Sequence, residues 1–329
     1  MPLTALVSCG PMSPRILTTS SGTNQAAFAP LDWALFIAVA LIWGSSFLLM
    51  DIGLGALEPG LITWIRVSLG AGVLVLFPRA RRPIDAEDRP RLVVLSFLWV
   101  AIPFTLFPIA QQWVNSAAAG MLNGAMPVFA VAFASIMLRS VPRQSQLLGL
   151  LLGFVGVTMM GLGSGGGGGA KAAGVGLIIA ATVCYGLAVN ISIPLTQRHG
   201  SLAVMARILA LAVIWTAPLG VSGLFASRFA WGPVLAVSAA GAIGTGVAFV
   251  LMGTLVGRVG SARGSFTIYL IPVVALVLGW WLRSDTVAPA ALGGAALVIA
   301  GALLASRRES GGRSRSRESP SEHTGGSLR

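Results

Sequence analysis

Ten long apolar stretches run through this chain of 329 residues, separated by short polar or glycine-rich connections. Each is roughly 17 to 23 residues, about what a helix needs to cross a hydrocarbon core near 30 Å at 1.5 Å per residue. Apolar and polar positions do not alternate within a stretch such as Leu292 to Ala305. Membrane strands require only about 10 residues of alternating polarity, so the pattern predicts helices. The expected spans are 34–50, 61–77, 92–113, 117–138, 145–163, 174–194, 203–225, 234–256, 262–282 and 289–305.

The stretches come as five followed by five, and the second set echoes the first. Trp43-Gly44 in the first stretch matches Tyr185-Gly186 in the sixth, and Arg66 in the second matches Arg207 in the seventh. The fourth opens at Ser116 and carries Pro127, as the ninth opens at Ser261 and carries Pro272. Gly149 and Gly156 in the fifth match Gly294 and Gly301 in the tenth. The offset stays between 141 and 145 residues throughout. Five spans per repeat is an odd number, so the second repeat enters the membrane from the side opposite to the first. Inverted repeats of this kind are a hallmark of secondary transporters. The fold class expected is therefore all-α integral membrane, with ten transmembrane helices in two inverted-topology five-helix repeats. The first repeat would be 32–163, the glycine-rich linker 164–173 and the second repeat 174–306. A leader (1–31) and a basic tail (307–329) flank them, both expected to be disordered and cytoplasmic.

Composition agrees with a bilayer solvent. Hydrophobic residues make up 55% of the chain and charged residues 10%, against about 25% charged in soluble domains. The net charge of +12 invites a nucleic-acid reading, but its distribution argues against one. With a cytoplasmic N-terminus, seventeen of the 22 Lys and Arg fall in inner segments or, as Arg263, at the inner edge of a span, and three in outer ones, leaving Arg66 and Arg207 deeper within spans. That is the positive-inside bias, which sets orientation during insertion, so no nucleic-acid partner is expected. The leader has no sustained apolar region and one basic residue, Arg15, and does not read as a cleavable signal. Asp32 is placed to cap the first helix, and Trp33 suits the headgroup level. Cys9 and Cys184 form no disulfide framework, and no Cys/His cluster has metal-ligand spacing. The run Gly165 to Gly169 lacks the Gly-Lys-Ser/Thr ending of a P-loop. No cofactor is expected.

Polar residues inside the spans are the candidates for function. No Asp, Glu, Lys or His lies within any expected span. Intramembrane hydrolysis needs a nucleophile with a base, paired aspartates or a metal, and proton relays use carboxylates or histidines. Enzymatic activity is therefore not expected. The fourth span carries Ser116, Gly120, Asn123, Gly124 and Pro127 on one helical face, and the ninth carries Ser261, Ser265, Tyr269 and Pro272. Such a stripe has two readings: close helix packing, or the wall of a substrate cavity kinked by the prolines. Trp43 and Tyr185 lie near mid-span, away from the interfacial aromatic belt. They are either core or an amphipathic lining, with Ser45, Ser46 and Asn190 on nearby positions. Gln111 and Gln112 end the third span, where they either meet headgroup water or form a polar mouth. Arg66 and Arg207 either snorkel or act at the two gates, pairing with carbonyls or an anionic substrate. The Gly149-x-x-x-Gly153 motif is open to homodimer formation or to packing within one chain.

Several of these stretches carry a resemblance. Leu41-Ile-Trp-Gly-Ser-Ser-Phe47, Ile109-Ala-Gln-Gln-Trp-Val-Asn-Ser-Ala117 leading to Met126-Pro-Val-Phe129, and Gly149 to Val157 are in the first half. Gly260-Ser-Ala-Arg-Gly264 leading to Ile271-Pro-Val273, and Gly294 to Gly301, are in the second. In this order and duplicated over 33–306, they resemble the EamA family of the drug/metabolite transporter superfamily. The resemblance implies ten helices, both termini cytoplasmic, and movement of small metabolites across the inner membrane. Where the family often has an acidic residue just after spans four and nine, this chain has Ser140 and Asp285. The expected function is a secondary transporter moving a small metabolite, such as an amino acid or other amphipathic solute, by alternating access, in the direction of efflux. The partners are that solute and the lipid bilayer. A lipid or isoprenoid-carrier flippase is the alternative, and a non-transporting sensor or scaffold a further one.

Overall fold

The computed structural model describes residues 29–137, 144–164, 169–259, 264 and 267–306. The tail, most of the leader, and Ser140, Ser261 and Ser265 lie outside the described residues. Among the described residues there is no strand. In chain order the helices are α1 (Pro30–Gly53), α2 (Pro59–Val75), α3 (Arg89–Leu95, Ser96–Ala101 and Ile102–Ala110 end to end), α4 (Ser116–Asn123 and Met126–Met137) and α5 (Gln144–Ser164). There follow α6 (Gly169–His199), α7 (Ser201–Ala226), α8 (Trp231–Gly241, Ala242–Val247 and Ala248–Val259 end to end), α9 (Thr267–Arg283) and α10 (Pro289–Ser306). Six of them, α1, α3, α4, α6, α7 and α8, are long and apolar enough to cross a membrane, and α2, α5, α9 and α10 hold shorter apolar helices. Large apolar side chains such as Phe154, Phe225 and Trp280 stand exposed on the outside. That arrangement suits a hydrocarbon surround and would be costly in water.

Local chemistry explains where the elements depart from regularity. α4 breaks at Gly124 and Ala125, because Pro127 has no N–H to return to the Asn123 carbonyl. α9 runs through Pro272 without interruption. The glycine-rich connection is shorter than expected. α6 already starts at Gly169, since Ala170, Lys171, Ala172 and Ala173 are good helix formers. Two π-helical segments were not foreseeable from periodicity, Ser96–Ala101 in α3 and Ala242–Val247 in α8. The first leads into Pro103, whose missing donor a register shift accommodates; the second is rich in glycine. Asp32 does cap α1, accepting from the Ala29 N–H (3.0 Å).

Contacts between the halves come in exchanged pairs. α2 packs on α7, α5 on α10, and α4 on α9. α1 packs on α8 and α9 just as α6 packs on α3 and α4, and α2 meets α8 as α7 meets α3. Glycines set the closest approaches. A Cβ on Gly156 would lie 2.5 Å from the Gly294 carbonyl oxygen, and one on Gly301 would lie 2.5 Å from that of Gly149. Likewise a Cβ on Gly44 would meet Val274 of α9 at 2.5 Å, and one on Gly186 would meet Phe129 of α4 at 2.7 Å. Each pair is the other's counterpart at the sequence offset. The Gly149 and Gly153 backbones are thus covered by α10 of the same chain.

Candidate functional site

The Trp43-Gly44 and Tyr185-Gly186 pairs have a physical logic. The glycine lets α1 or α6 approach α9 or α4, which turns the preceding aromatic toward the space between them. That space is a cavity of about 450 Å³ at the centre of the bundle, lined by residues of both halves. Trp43 and Tyr185 both border it. An aromatic wall continues from them: Phe47 meets Phe107 edge-on (5.4 Å between centroids), Phe107 stacks on Tyr185 (6.1 Å), and Trp43 meets Phe249 (5.9 Å).

Polar groups on this wall are few. Arg66 borders the cavity from α2 and is only 8% exposed. Its Nε donates to the Thr245 hydroxyl of α8 (3.2 Å), its Nη1 donates to the Met50 sulfur (3.1 Å), and its guanidinium lies 4.2 Å from the Phe104 ring centre. Among the described residues no carboxylate pairs with it. Asn123, also 8% exposed, borders the cavity with its Oδ1 unpartnered. Ser46, Tyr269 and Pro127 complete the expected residues on the lining, and Ser46 Oγ donates back to the Ile42 carbonyl (3.1 Å). Among the described residues, no Asp or Glu lines the cavity.

Other expected residues lie elsewhere. Ser45 donates to its own helix at Ile42 (3.0 Å), off the lining. Gln111 is buried, meeting neither headgroup water nor the cavity; its Nε2 donates to the Phe47 carbonyl (2.9 Å) and ties α3 to α1. Gln112 beside it is exposed. Asn190 ties α6 to α4 by donating to the Ala130 carbonyl (2.9 Å) while also bonding Gly186 (2.8 Å). Pro272 is buried against Gly124. Arg207 is far from bare: it donates to the Ala80, Arg81 and Arg82 carbonyls of the α2–α3 connection (2.7, 3.3 and 3.1 Å). The two quasi-equivalent arginines therefore have opposite surroundings. Met50, Trp99, Phe104 and Met252 on the lining, and Thr245 behind it, gave no sequence signal, because apolar residues and threonines are ordinary in any span.

The two ends of the cavity differ. Thr196 and Ser201 at the α6–α7 turn, with Gly253 and Val256 late in α8, continue the lining toward one end of the bundle. At that end Asp88 binds Arg91, Arg198 and His199 (3.1, 3.0 and 2.8 Å), and Arg258 of α8 pairs with Asp32 of α1 (2.5 Å). At the opposite end, ties join residues that do not border the cavity. Asp285 accepts from Ser116 Oγ (2.8 Å) and the Ala117 N–H (3.2 Å), so the acid after α9 caps the N-terminus of α4. Arg283 pairs with Asp51 (2.6 Å), and the Arg228 N–H donates to the Ala56 carbonyl (2.9 Å). Apart from Asp88–Arg91, three residues apart, none of these ties follows from sequence spacing, since their partners are more than one hundred residues apart.

Comparison with known proteins follows the duplication. The description "EamA-like transporter family" matches the chain twice, over residues 33–162 and 172–307. A probable terminal-alkyne amino-acid exporter of Streptantibioticus cattleyicolor is 26% identical over 286 residues, 85% of this chain and 95% of that one. A probable amino-acid metabolite efflux pump of Salmonella typhimurium is 24% identical over 288 residues, 83% and 94% of the two chains. The uncharacterized inner membrane transporter YedA of Escherichia coli is 26% identical over 263 residues, 78% and 84%. A solved crystal structure of 19% identity superposes with a TM-score of 0.56, covering 83% of this chain and 96% of the other, and so shares the fold.

Proposed function

The chain belongs to the EamA-like transporter family, and from that premise we propose that it is a secondary transporter exporting a small amphipathic metabolite across the inner membrane by alternating access. It is a transporter rather than an enzyme, as family and relatives agree. The observation that carries the mechanistic reading is the cavity of about 450 Å³ between the halves, continued toward one end and tied off at the other. A volume of that size suits one small ligand. The exchanged contacts and glycine pairs support two inverted five-helix repeats whose tilting would open the ends in turn. Positive-inside bias supports a cytoplasmic α6–α7 end and cytoplasmic termini, an orientation in which the cavity would face inward. The names of two relatives make amino-acid-type metabolites the first class to test.

The test is metabolite profiling of cells and medium with and without overexpression. Export of a defined solute is expected, with altered kinetics for Asn123→Ala and Tyr269→Phe at equal protein level. Unchanged extracellular metabolites, together with translocation of labelled lipid in proteoliposomes, would replace this reading by a flippase.

A further inference from the structure

We propose that the deep end of the cavity is a carboxylate subsite, in which Arg66 held by Thr245 binds the acid head group of an amphipathic solute. The inference rests on reading the cavity as the transport site.

Arginine inside a membrane helix is costly and is normally paired or drawn to an interface. Arg66 does neither. About seven residues into α2, its guanidinium is buried against Phe104, with one good acceptor at Thr245 and one weak one at the Met50 sulfur. Five N–H donors are present on such a group, and its Nη2 donates to no acceptor among the described residues. Nη2, together with the second N–H of Nη1, would supply the planar pair that a carboxylate engages bidentately. Arg207 shows what the alternative looks like: three backbone carbonyls satisfy it at the end of its helix.

The surroundings hold Arg66 in place without neutralising it. Thr245 is buried on the π-helical segment of α8, and its hydroxyl donates to the Ala240 carbonyl (3.2 Å), which turns a lone pair toward Arg66 Nε. Gly70 and Gly241 bring α2 and α8 close enough for this. A Cβ on Gly70 would meet Thr245 at 2.7 Å, and one on Gly241 would meet the Arg66 Cα at 2.9 Å. The lining then supplies the rest of an amphipathic solute's needs. Phe47, Phe107, Met205 and Phe249 offer apolar surface, and the Asn123 amide adds a polar edge to the same wall. A cation lacking an acid would meet Arg66 with no carboxylate on the wall to offset it.

Two matched probe pairs separate head group from tail: hexanoate with hexanamide, and norleucine with norleucinamide. Each is titrated onto the full-length protein in nanodiscs, following tryptophan emission, since Trp43 and Trp99 border the cavity. Both acids should bind roughly 10- to 100-fold more tightly than their amides. Arg66→Gln should abolish that preference, and Arg66→Lys, with charge but no fork, should keep part of it. Amides binding as well as acids in the wild type would overturn the subsite, whether or not any variant folds. So would a preserved preference in folded Arg66→Gln, or no saturable binding of either acid at millimolar concentration. If the overexpressing cells still export a metabolite in those cases, transport stands and only the carboxylate assignment falls.

Discussion

At the scale of single residues, position in the bundle and not residue type separates a lining group from a brace. Asn123 and Asn190 look alike in sequence, each an amide within an apolar stretch. One borders the cavity, its Oδ1 buried without a partner; the other stitches α6 to α4. Trp43, Ser46, Asn123, Tyr185, Tyr269 and Arg66 could be picked out as candidates because polar and mid-span aromatic groups are scarce in lipid. Gln111 and Asn190 met the same criterion, yet a carbonyl on a neighbouring helix takes their donors, and no local pattern announces that neighbour. The contrast between Arg66 and Arg207 was equally hidden, since it depends on a connection 126 residues away folding over one of them. Arg207→Gln is expected to lower the melting temperature in detergent, a loss of about 1–3 kcal/mol for donors removed from two or three carbonyls. The acid-over-amide preference of the cavity should survive it, which head-group titration on the folded fraction would check.

Among elements, glycine marked α5 as a packing helix without naming its partner, while the breaks were readable only where proline caused them. Pro127 marks the interruption of α4. The π-helical turn of α8 carries no such mark, and that of α3 only the adjoining Pro103, because a one-residue register shift leaves the apolar pattern nearly intact. The α5–α10 contact is the clearest consequence of glycine. Its two closest points, Gly156 on Gly294 and Gly301 on Gly149, leave no room for a side chain against backbone. Gly156→Val should therefore force α5 and α10 apart at a cost of about 1–3 kcal/mol. Reduced folded yield and a lower melting temperature would show it, whereas Gly176→Val, at a glycine with open space around it, should leave both unchanged. A Gly156→Val protein as stable as wild type would mean that this contact contributes little.

For the whole molecule, the uneven ends make a labelling prediction. A cysteine at Ser201 borders the cavity on the α6–α7 side, whereas one at Ser116 lies behind the Asp285 cap. In inside-out vesicles a membrane-impermeant maleimide should modify Ser201→Cys, and in right-side-out vesicles Ser116→Cys should react slowly. Adding Asp285→Asn removes the charged acceptor from the α4 N-terminus and should accelerate the second reaction. Equal labelling of both sites from both faces would contradict a cavity open at one end. The unlike fates of the two arginines then bear on how the machine works. A solute acid on Arg66 would sit at a joint between the halves, because Arg66 of α2 is itself bonded to Thr245 of α8. Tilting one half against the other would disturb that joint, so the motion that opens the far side would also loosen the passenger's hold.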